Sequence, residues 1–386
     1  MTSAPEHDPL EFANSLSAKL ATRSRHVCVL LGAGAARACG LPDVGTLQDR
    51  IAAQLSGAAV DRFEKLVDSR DLEQGLSRLR RIHALIGGGT QEIDGLTGAD
   101  AQELDRQICR AIVTELDLSD ADLTPMTRFA AWVGRADYHL PLEIFTVNYD
   151  LLIETALEAL RVPYFDGFVG ALRAGFRTDL VEAQPSDQRA WLPPFLARLW
   201  KLHGSVAWEW ETDKQVVRLG RAVEEHQAAA IYPSDAKYDE SRRVPFVVLH
   251  DRLRRALEHP ETLMLVSGYS WRDEHLNEVI FEAAQHRPRS EVIAFTHSTI
   301  PDALRGRAET MPNLQAVTAS EAILGGVTHA WEIKEPPPSG VWDEDKLTLG
   351  DFTQLAAFLA RSSPTPGELS GLLAEQLEQA AKAAGA

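Results

Sequence analysis

The sequence predicts an α/β protein: a doubly wound parallel sheet with a helical inserted lobe. Three observations predict it. Val27-Cys28-Val29-Leu30-Leu31 is an uninterrupted apolar run leading straight into Gly32-Ala33-Gly34 and an Ala-rich segment. A run without alternation suits a parallel strand buried on both faces. Comparable runs recur at 142–147, 262–267, 291–296 and 314–318, separated by segments of helical spacing, as βαβ units would be. Between the first run and the second, the chain to about residue 135 shows helical periodicity alone.

The chain has 386 residues, beyond the roughly 250–300 at which a single core stops growing, so a large lobe with a sizeable insertion is expected. The net charge of −17 gives no electrostatic reason to bind nucleic acid or an anionic membrane, and neither partner is expected. Cys28, Cys39 and Cys109 are widely spaced with no C-x-x-C pair, which speaks against a disulfide framework and a cysteine zinc site. Met1 to Pro9 lacks a basic and an apolar leader region, and no apolar span of about 18 residues occurs. A soluble, cytoplasmic protein is the expectation.

Taken in order, Leu10–Ala21 reads as a short helix delivering the chain to the strand at 26–31. The glycines after it let the backbone turn sharply and approach a ligand. The following helix start, with free N–H groups and the positive end of its dipole, would favour a phosphate. Asp43–Leu55 has helical spacing in Leu47, Ile51 and Leu55, as have Leu72, Leu76, Leu79 and Ile82 and later Ile108, Ile112 and Leu116. This block, about 47–135, is read as a helical insertion broken into hairpins by its glycines. A strand at 142–147 enters a helix at 151–160; the region 161–197 reads as irregular, punctuated by Pro163, Pro185, Pro193 and Pro194. Short strands are predicted at 199–202 and 229–232, a helix at 245–258, and then the three remaining strands with helices at 273–285 and 301–309. Pro336-Pro337-Pro338 ends the catalytic domain, placed at 1–335. The C-terminal extension, 336–386, holds a helix at about 348–361 and a tail in which Leu369, Leu372, Leu373 and Leu377 share one helical face.

Ligands of open α/β sheets bind outside the carboxyl ends of the strands, and the unusual polar residues fall there. Asn148 and Asp150 follow one strand, His203 another, and Gly268, Tyr269 and Ser270 a third. Each has a plainer reading. Asn148 and Asp150 suit helix caps, a single histidine is more often structural, and Gly268 suits a turn. Their joint placement around one strand–glycine–helix loop favours a site.

Gly32-Ala33-Gly34 with Gly40-Leu41-Pro42-Asp43, Thr146-Val147-Asn148-Tyr149-Asp150, Leu202-His203-Gly204 and Ser267-Gly268-Tyr269-Ser270 stand in the order and approximate spacing of the sirtuin family, which the sequence resembles over about residues 26–320. The resemblance implies a Rossmann-like, sirtuin-type lobe with NAD as substrate. It is strongest to the bacterial sirtuin-like proteins of antiviral defence systems, where a Gly-Tyr-Ser-x-x-Asp-x-x-x-Asn run, here Gly268 to Asp273 and Asn277, is usual and the activity is NAD hydrolysis. Departures from the deacylase pattern are plain. The four zinc cysteines are missing, so no metal and no zinc ribbon are expected. Pro42-Asp43 leads into Val44 where an arginine pattern would follow, and Ala36 replaces the usual loop serine.

By resemblance, Asn148 positions water and a ribose hydroxyl, Asp150 holds the nicotinamide carboxamide, and His203 is a base toward a ribose hydroxyl or water. Gly32, Ala33 and Gly34 face the pyrophosphate, with Pro42 and Asp43 close by. Gly268, Tyr269 and Ser270 line the adenosine side, with Thr296 at the next strand end. The resemblance also implies that homo-oligomerisation or a HerA-type ATPase partner restrains the activity until a phage-derived trigger arrives. Protein deacylation, ADP-ribosyl transfer and non-catalytic binding of NAD or ADP-ribose are the alternatives.

Overall fold

The computed structural model describes residues 7–67, 72–183, 196–211, 215–224, 229–231, 244–335, 337 and 340–361. Nine of the strands described form one sheet. In chain order they are β1 (Val27–Leu31), β2 (Glu143–Thr146), β3 (Tyr164–Phe165), β4 (Ala197–Lys201), β5 (Leu263–Ser267), β6 (Glu291–Phe295), β7 (Leu314–Val317), β8 (Glu321–Leu324) and β9 (Val327–Ala330). Across the sheet the order is β3-β4-β2-β1-β5-β6-β7-β8-β9. The first seven are mutually parallel, and β8 and β9 add an antiparallel hairpin at the edge. The chain winds outward from β1 through β2 in one direction and from β5 through β6 and β7 in the other. The reversal of winding lies between β1 and β5, which is where such sheets hold ligands.

Alternation along β1 shows why its five residues are all apolar. Val27, Val29 and Leu31 face a core containing Phe12, Leu16 and Leu20 of the helix Pro9–Ala21, together with Phe129, Ile153 and Phe352. Cys28 and Leu30 face a second core with Phe246, Leu249 and Leu253 of the helix Phe246–Glu258 and Leu276 and Ile280 of the helix Glu274–His286. The strand is covered on both sides, so both of its faces must be apolar.

The insertion between β1 and β2 is helical: Val44–Gln54, Ala58–Val67, Leu72–Ile86, Gly98–Glu115 and Thr124–Arg135. Leu47, Leu76, Leu79, Ile108 and Ile112 are all buried in the first core. Thr97 and Asp100 cap the longest of these helices reciprocally, each side chain accepting from the other's backbone N–H.

The region 161–197 differs from the irregular stretch expected. Its described part holds β3, the strands Phe168–Val169 and Arg173–Phe176, and the helix Thr178–Glu182. Those two strands join Val216–Leu219, Gly204–Trp210 and Ala229–Ile231 in a five-stranded antiparallel sheet. The strand near 229 thus belongs to this second sheet. Phe168 packs edge-on to Phe176 and against Trp208, their ring centroids 5.1 and 4.9 Å apart. Strands of two to four residues are too short for period-two alternation to show, which is why proline punctuation dominated the reading.

Beyond residue 340 a hairpin, Trp342–Asp343 with Lys346–Leu347, leads to the helix Phe352–Arg361. Phe352 rests against Phe129 at 5.9 Å between ring centroids, and Leu355, Ala356 and Leu359 complete the first core. The tail leucines 369, 372, 373 and 377 and Pro185, Pro193 and Pro194 lie outside the described residues. No described helix is long and apolar enough to cross a membrane.

At the opposite end of β2 from the predicted site, a charged group sits inside the second core. Glu143 is almost fully buried and accepts from Arg252 Nε at 2.7 Å, from Trp200 Nε1 at 2.7 Å and from His26 Nε2 at 3.1 Å. Burial alone would raise the Glu143 pKa, but the charges and hydrogen bonds of Arg252 and His26 together hold the carboxyl well below the usual range.

Candidate active site

The loops after β1 and β5 touch backbone to backbone. Gly32 N donates to Ser267 O at 3.0 Å and Gly34 N to Gly268 O at 2.9 Å. A Cβ on Gly32 would lie 2.5 Å from Gly268 O, and one on Gly268, whose φ is +66, would lie 2.5 Å from Ala35 N. These glycines are required because two main chains meet without room for a side chain. By resemblance Gly32, Ala33 and Gly34 are expected to face the pyrophosphate; the N–H groups of Gly32 and Gly34 are bonded to the neighbouring loop, and the helix that follows, Ala33–Arg37, is only a turn and a half long.

The loop after β2 is tied to the same place. Thr146 Oγ1 donates to Leu31 O at 2.9 Å and accepts from Asn148 N at 3.0 Å. Asn148 Nδ2 donates to Gly32 O at 3.0 Å. The half-buried Asn148 amide therefore bridges the ends of β1 and β2, with its oxygen on the other branch of the side chain. Two residues on, Asp150 is buried and its carboxylate accepts from Leu152 N at 3.0 Å, at the first residue of the helix Leu152–Ala159. Burial pushes its pKa up, against the nearby Lys201 ammonium.

Lys201 ends β4. Its buried Nζ donates to the Asp150 backbone carbonyl and pairs with Glu154 at 3.0 Å. From the adjoining strand, Val206 N and Ser205 Oγ donate to Tyr149 O at 2.9 and 3.4 Å. Between them stands His203, 2 % exposed, with Nε2 3.2 Å from Asp273 Oδ2. Asp273 also accepts from His275 N and Leu276 N and so caps the helix Glu274–His286. The Tyr269 ring is buried in the second core and its hydroxyl donates to Asn277 Oδ1 at 2.9 Å, while Asn277 Nδ2 donates to Trp271 O. The Gly268–Asn277 run is thereby folded onto itself below β5.

Hydrogen bonds therefore link the four predicted motifs in a closed ring: Gly32 to Asn148, the Asn148–Asp150 loop to Lys201 and Ser205, His203 to Asp273, and Gly268 back to Gly34. Asn148, Asp150 and His203 all lie on it. The remaining predicted residues have other settings. Ala33 opens the short helix; Pro42 is buried and Asp43 caps the helix Val44–Gln54 through Thr46 N. Ser270 is exposed beyond Tyr269, and Thr296 donates to Val317 O at 3.0 Å. The Ser267 hydroxyl, fully buried at the end of β5, has no hydrogen-bond partner among the described residues. Sequence reasoning placed Ser267 at a strand end but gave no role to Lys201 or His250. A lysine ending an apolar strand was an available signal, since buried polar groups require partners.

His250, on the helix Phe246–Glu258, lies with its ring near-parallel to that of His203, centroids 6.3 Å apart. Burial pushes its pKa down to about 4, with the neighbouring His203 adding to the effect. Because the unfolded imidazole titrates near 6.5, the unfolded state takes up a proton in the window from 6.5 to 4 that the folded state refuses. Stability is expected to fall as the pH drops through that window, by up to about 3 kcal/mol from this residue. In His250→Gln the loss between pH 6.5 and 4 should be smaller by that amount. Parallel denaturation curves for the two proteins across this range would show the expectation wrong.

Residues 142–313 match the family model described as the SIR2-like domain. That stretch resembles the SIR2-like domain. It runs from β2 to the start of β7 and contains Asn148, Asp150, His203, Gly268 and Asp273. Gly32 and Gly34 lie ahead of it and join the ring through Gly268 and Asn148. No curated protein matches the chain in sequence. The SIR2-like match points to an NAD-related activity and accords with the Rossmann-like α/β architecture. Among the described residues, no cluster of three or more His, Cys, Asp or Glu could hold a metal ion.

Proposed function

We propose that the protein is an NAD glycohydrolase, cleaving the nicotinamide–ribose bond to give ADP-ribose and nicotinamide, and that it acts in antiphage defence by depleting NAD. The observation that carries this reading is the ring of hydrogen bonds at the sheet's winding reversal, which gathers an amide, a buried carboxyl and a histidine at neighbouring strand ends. The SIR2-like match over 142–313 supports NAD as the substrate. The buried, unpartnered Ser267 hydroxyl and the Asn148 amide are polar groups suited to ribose and phosphate oxygens.

The reaction passes through an oxocarbenium-like ribose as the C–N bond breaks and its electron pair leaves with nicotinamide. Water adds to the anomeric carbon and loses a proton. In this reading His203 accepts that proton, Asn148 holds the water and a ribose hydroxyl, and Asp150 receives the carboxamide. A buried carboxyl suits that last role, because its oxygens accept from the carboxamide N–H groups. Homo-oligomerisation or a HerA-type ATPase would keep the activity in check until a phage-derived trigger arrives.

The test is to incubate protein and NAD in equimolar amounts, with and without an acyl-lysine peptide, and to read products by mass spectrometry. ADP-ribose and nicotinamide from NAD alone, with the peptide unchanged, are expected. Intact NAD, or cleavage that requires the peptide, would overturn the reading.

A further inference from the structure

Asp273 joins two structural tasks in one carboxylate. Oδ1 accepts from His275 N at 3.0 Å and Leu276 N at 3.2 Å, capping the helix Glu274–His286, while Oδ2 reaches His203 Nε2 at 3.2 Å. Both side chains are nearly buried, with 2 % of His203 and 6 % of Asp273 exposed. The backbone leading to Asp273 is fixed as well. Trp271 stands at φ +59, its carbonyl takes Asn277 Nδ2 at 2.9 Å, and the Tyr269 hydroxyl that donates to Asn277 Oδ1 also lies 3.2 Å from the Asp273 carbonyl.

We propose that Asp273 is a positioning residue for His203: it accepts the Nε2 proton and fixes the tautomer in which Nδ1 takes up the proton of the attacking water. The proposal rests on the NAD-hydrolase reading and adds to it a residue that touches neither substrate nor water. Neutral imidazole carries one proton and one lone pair, so a carboxylate on Nε2 selects which nitrogen is the base. It also stabilises the imidazolium formed during the reaction.

The surrounding charges favour this pairing. From the helix Phe246–Glu258, His250 lies beside the imidazole and is kept neutral by burial, its pKa near 4. From the helix Glu274–His286, the facing groups are Asp273 itself and, near His250, His275. On the strand leading to His203, Lys201 is bound to the Asp150 carbonyl and to Glu154. Burial acts to raise the Asp273 pKa, but the hydrogen bond and charge of His203 hold it below the usual range.

Asp273→Asn separates the two tasks, because asparagine caps a helix about as well as aspartate and lacks only the charge. The expected result is a loss on the order of 10²-fold in kcat for NAD cleavage with KM little changed. The acidic limb of the pH–rate profile should move to lower pH. By NMR of ring protons, with the His203 signal assigned from His203→Gln, the imidazole should titrate about one unit lower than in the unaltered protein. An unshifted ring titration in a folded Asp273→Asn protein would overturn the proposal, as would unaltered kcat with an unaltered profile. If the unaltered protein does not cleave NAD, the ring titration still decides the pairing, and the failure belongs to the proposed function.

Discussion

Asn148→Ala and His203→Gln are each expected to lower NAD cleavage by about 10²–10⁴-fold, the range typical for loss of a positioned acid–base or orienting group. Glutamine is preferable to alanine at 203 because Asp273 then keeps a hydrogen-bond donor near Oδ2; alanine would leave that buried carboxylate short of one partner. The two variants should differ in kind. His203→Gln removes a proton acceptor and should lower kcat with NAD affinity preserved. Asn148→Ala also cuts the Nδ2 bond to Gly32 O that joins the ends of β1 and β2, so KM should rise as well. Steady-state rates at several pH values, with thermal melting as a control for folding, check both. Near-normal turnover in either folded variant would remove that residue from the mechanism.

The largest effect on stability is expected at Glu143. Its carboxylate takes hydrogen bonds from Arg252, Trp200 and His26 inside an apolar core. Glu143→Ala would leave the Arg252 guanidinium buried without its partner, at a cost of about 3–5 kcal/mol. Arg198, equally buried on the adjacent strand and without a hydrogen-bond partner for Nη1 or Nη2 among the described residues, makes the surroundings still less tolerant of a lost negative charge. Pairing Glu143→Ala with Arg252→Met should recover a large part of the loss, since the uncompensated charge is then gone. Chemical denaturation of the two single variants and the double variant gives the coupling. A double variant whose loss equals the sum of the two singles would show that the ion pair does not set the cost.

The parallel sheet was legible because its central strands are buried on both faces, and five apolar residues in β1 leave few other readings. The strand ends were legible because Asn148, His203 and Gly268 each follow such a run. The second sheet was not, since its strands are two to seven residues long. Of the site, sequence order could place the four motifs on one sheet edge but could not say which bonds join them. That Gly34 meets Gly268, or that Asp273 reaches across to His203, depends on the pairing of β1 with β5 and on a helix cap. Glu143, Arg198 and Arg252 are each a single charge within an apolar pattern. Such charges announce that a partner exists without naming it.

The pairing of β1 with β5 also shapes how the molecule comes into being. β1 precedes β5 by most of the sheet, yet its register joins Val27 to Leu263 and Leu31 to Ser267. Its flank on that side stays open until β5 has been synthesised. Contacts between segments so distant in sequence form slowly, because loop closure precedes any gain from packing. Gly34 cannot meet Gly268, nor His203 meet Asp273, before then. An activity that consumes a cofactor the cell depends on would thus be absent from nascent and truncated chains, and would arise only once the sheet is whole.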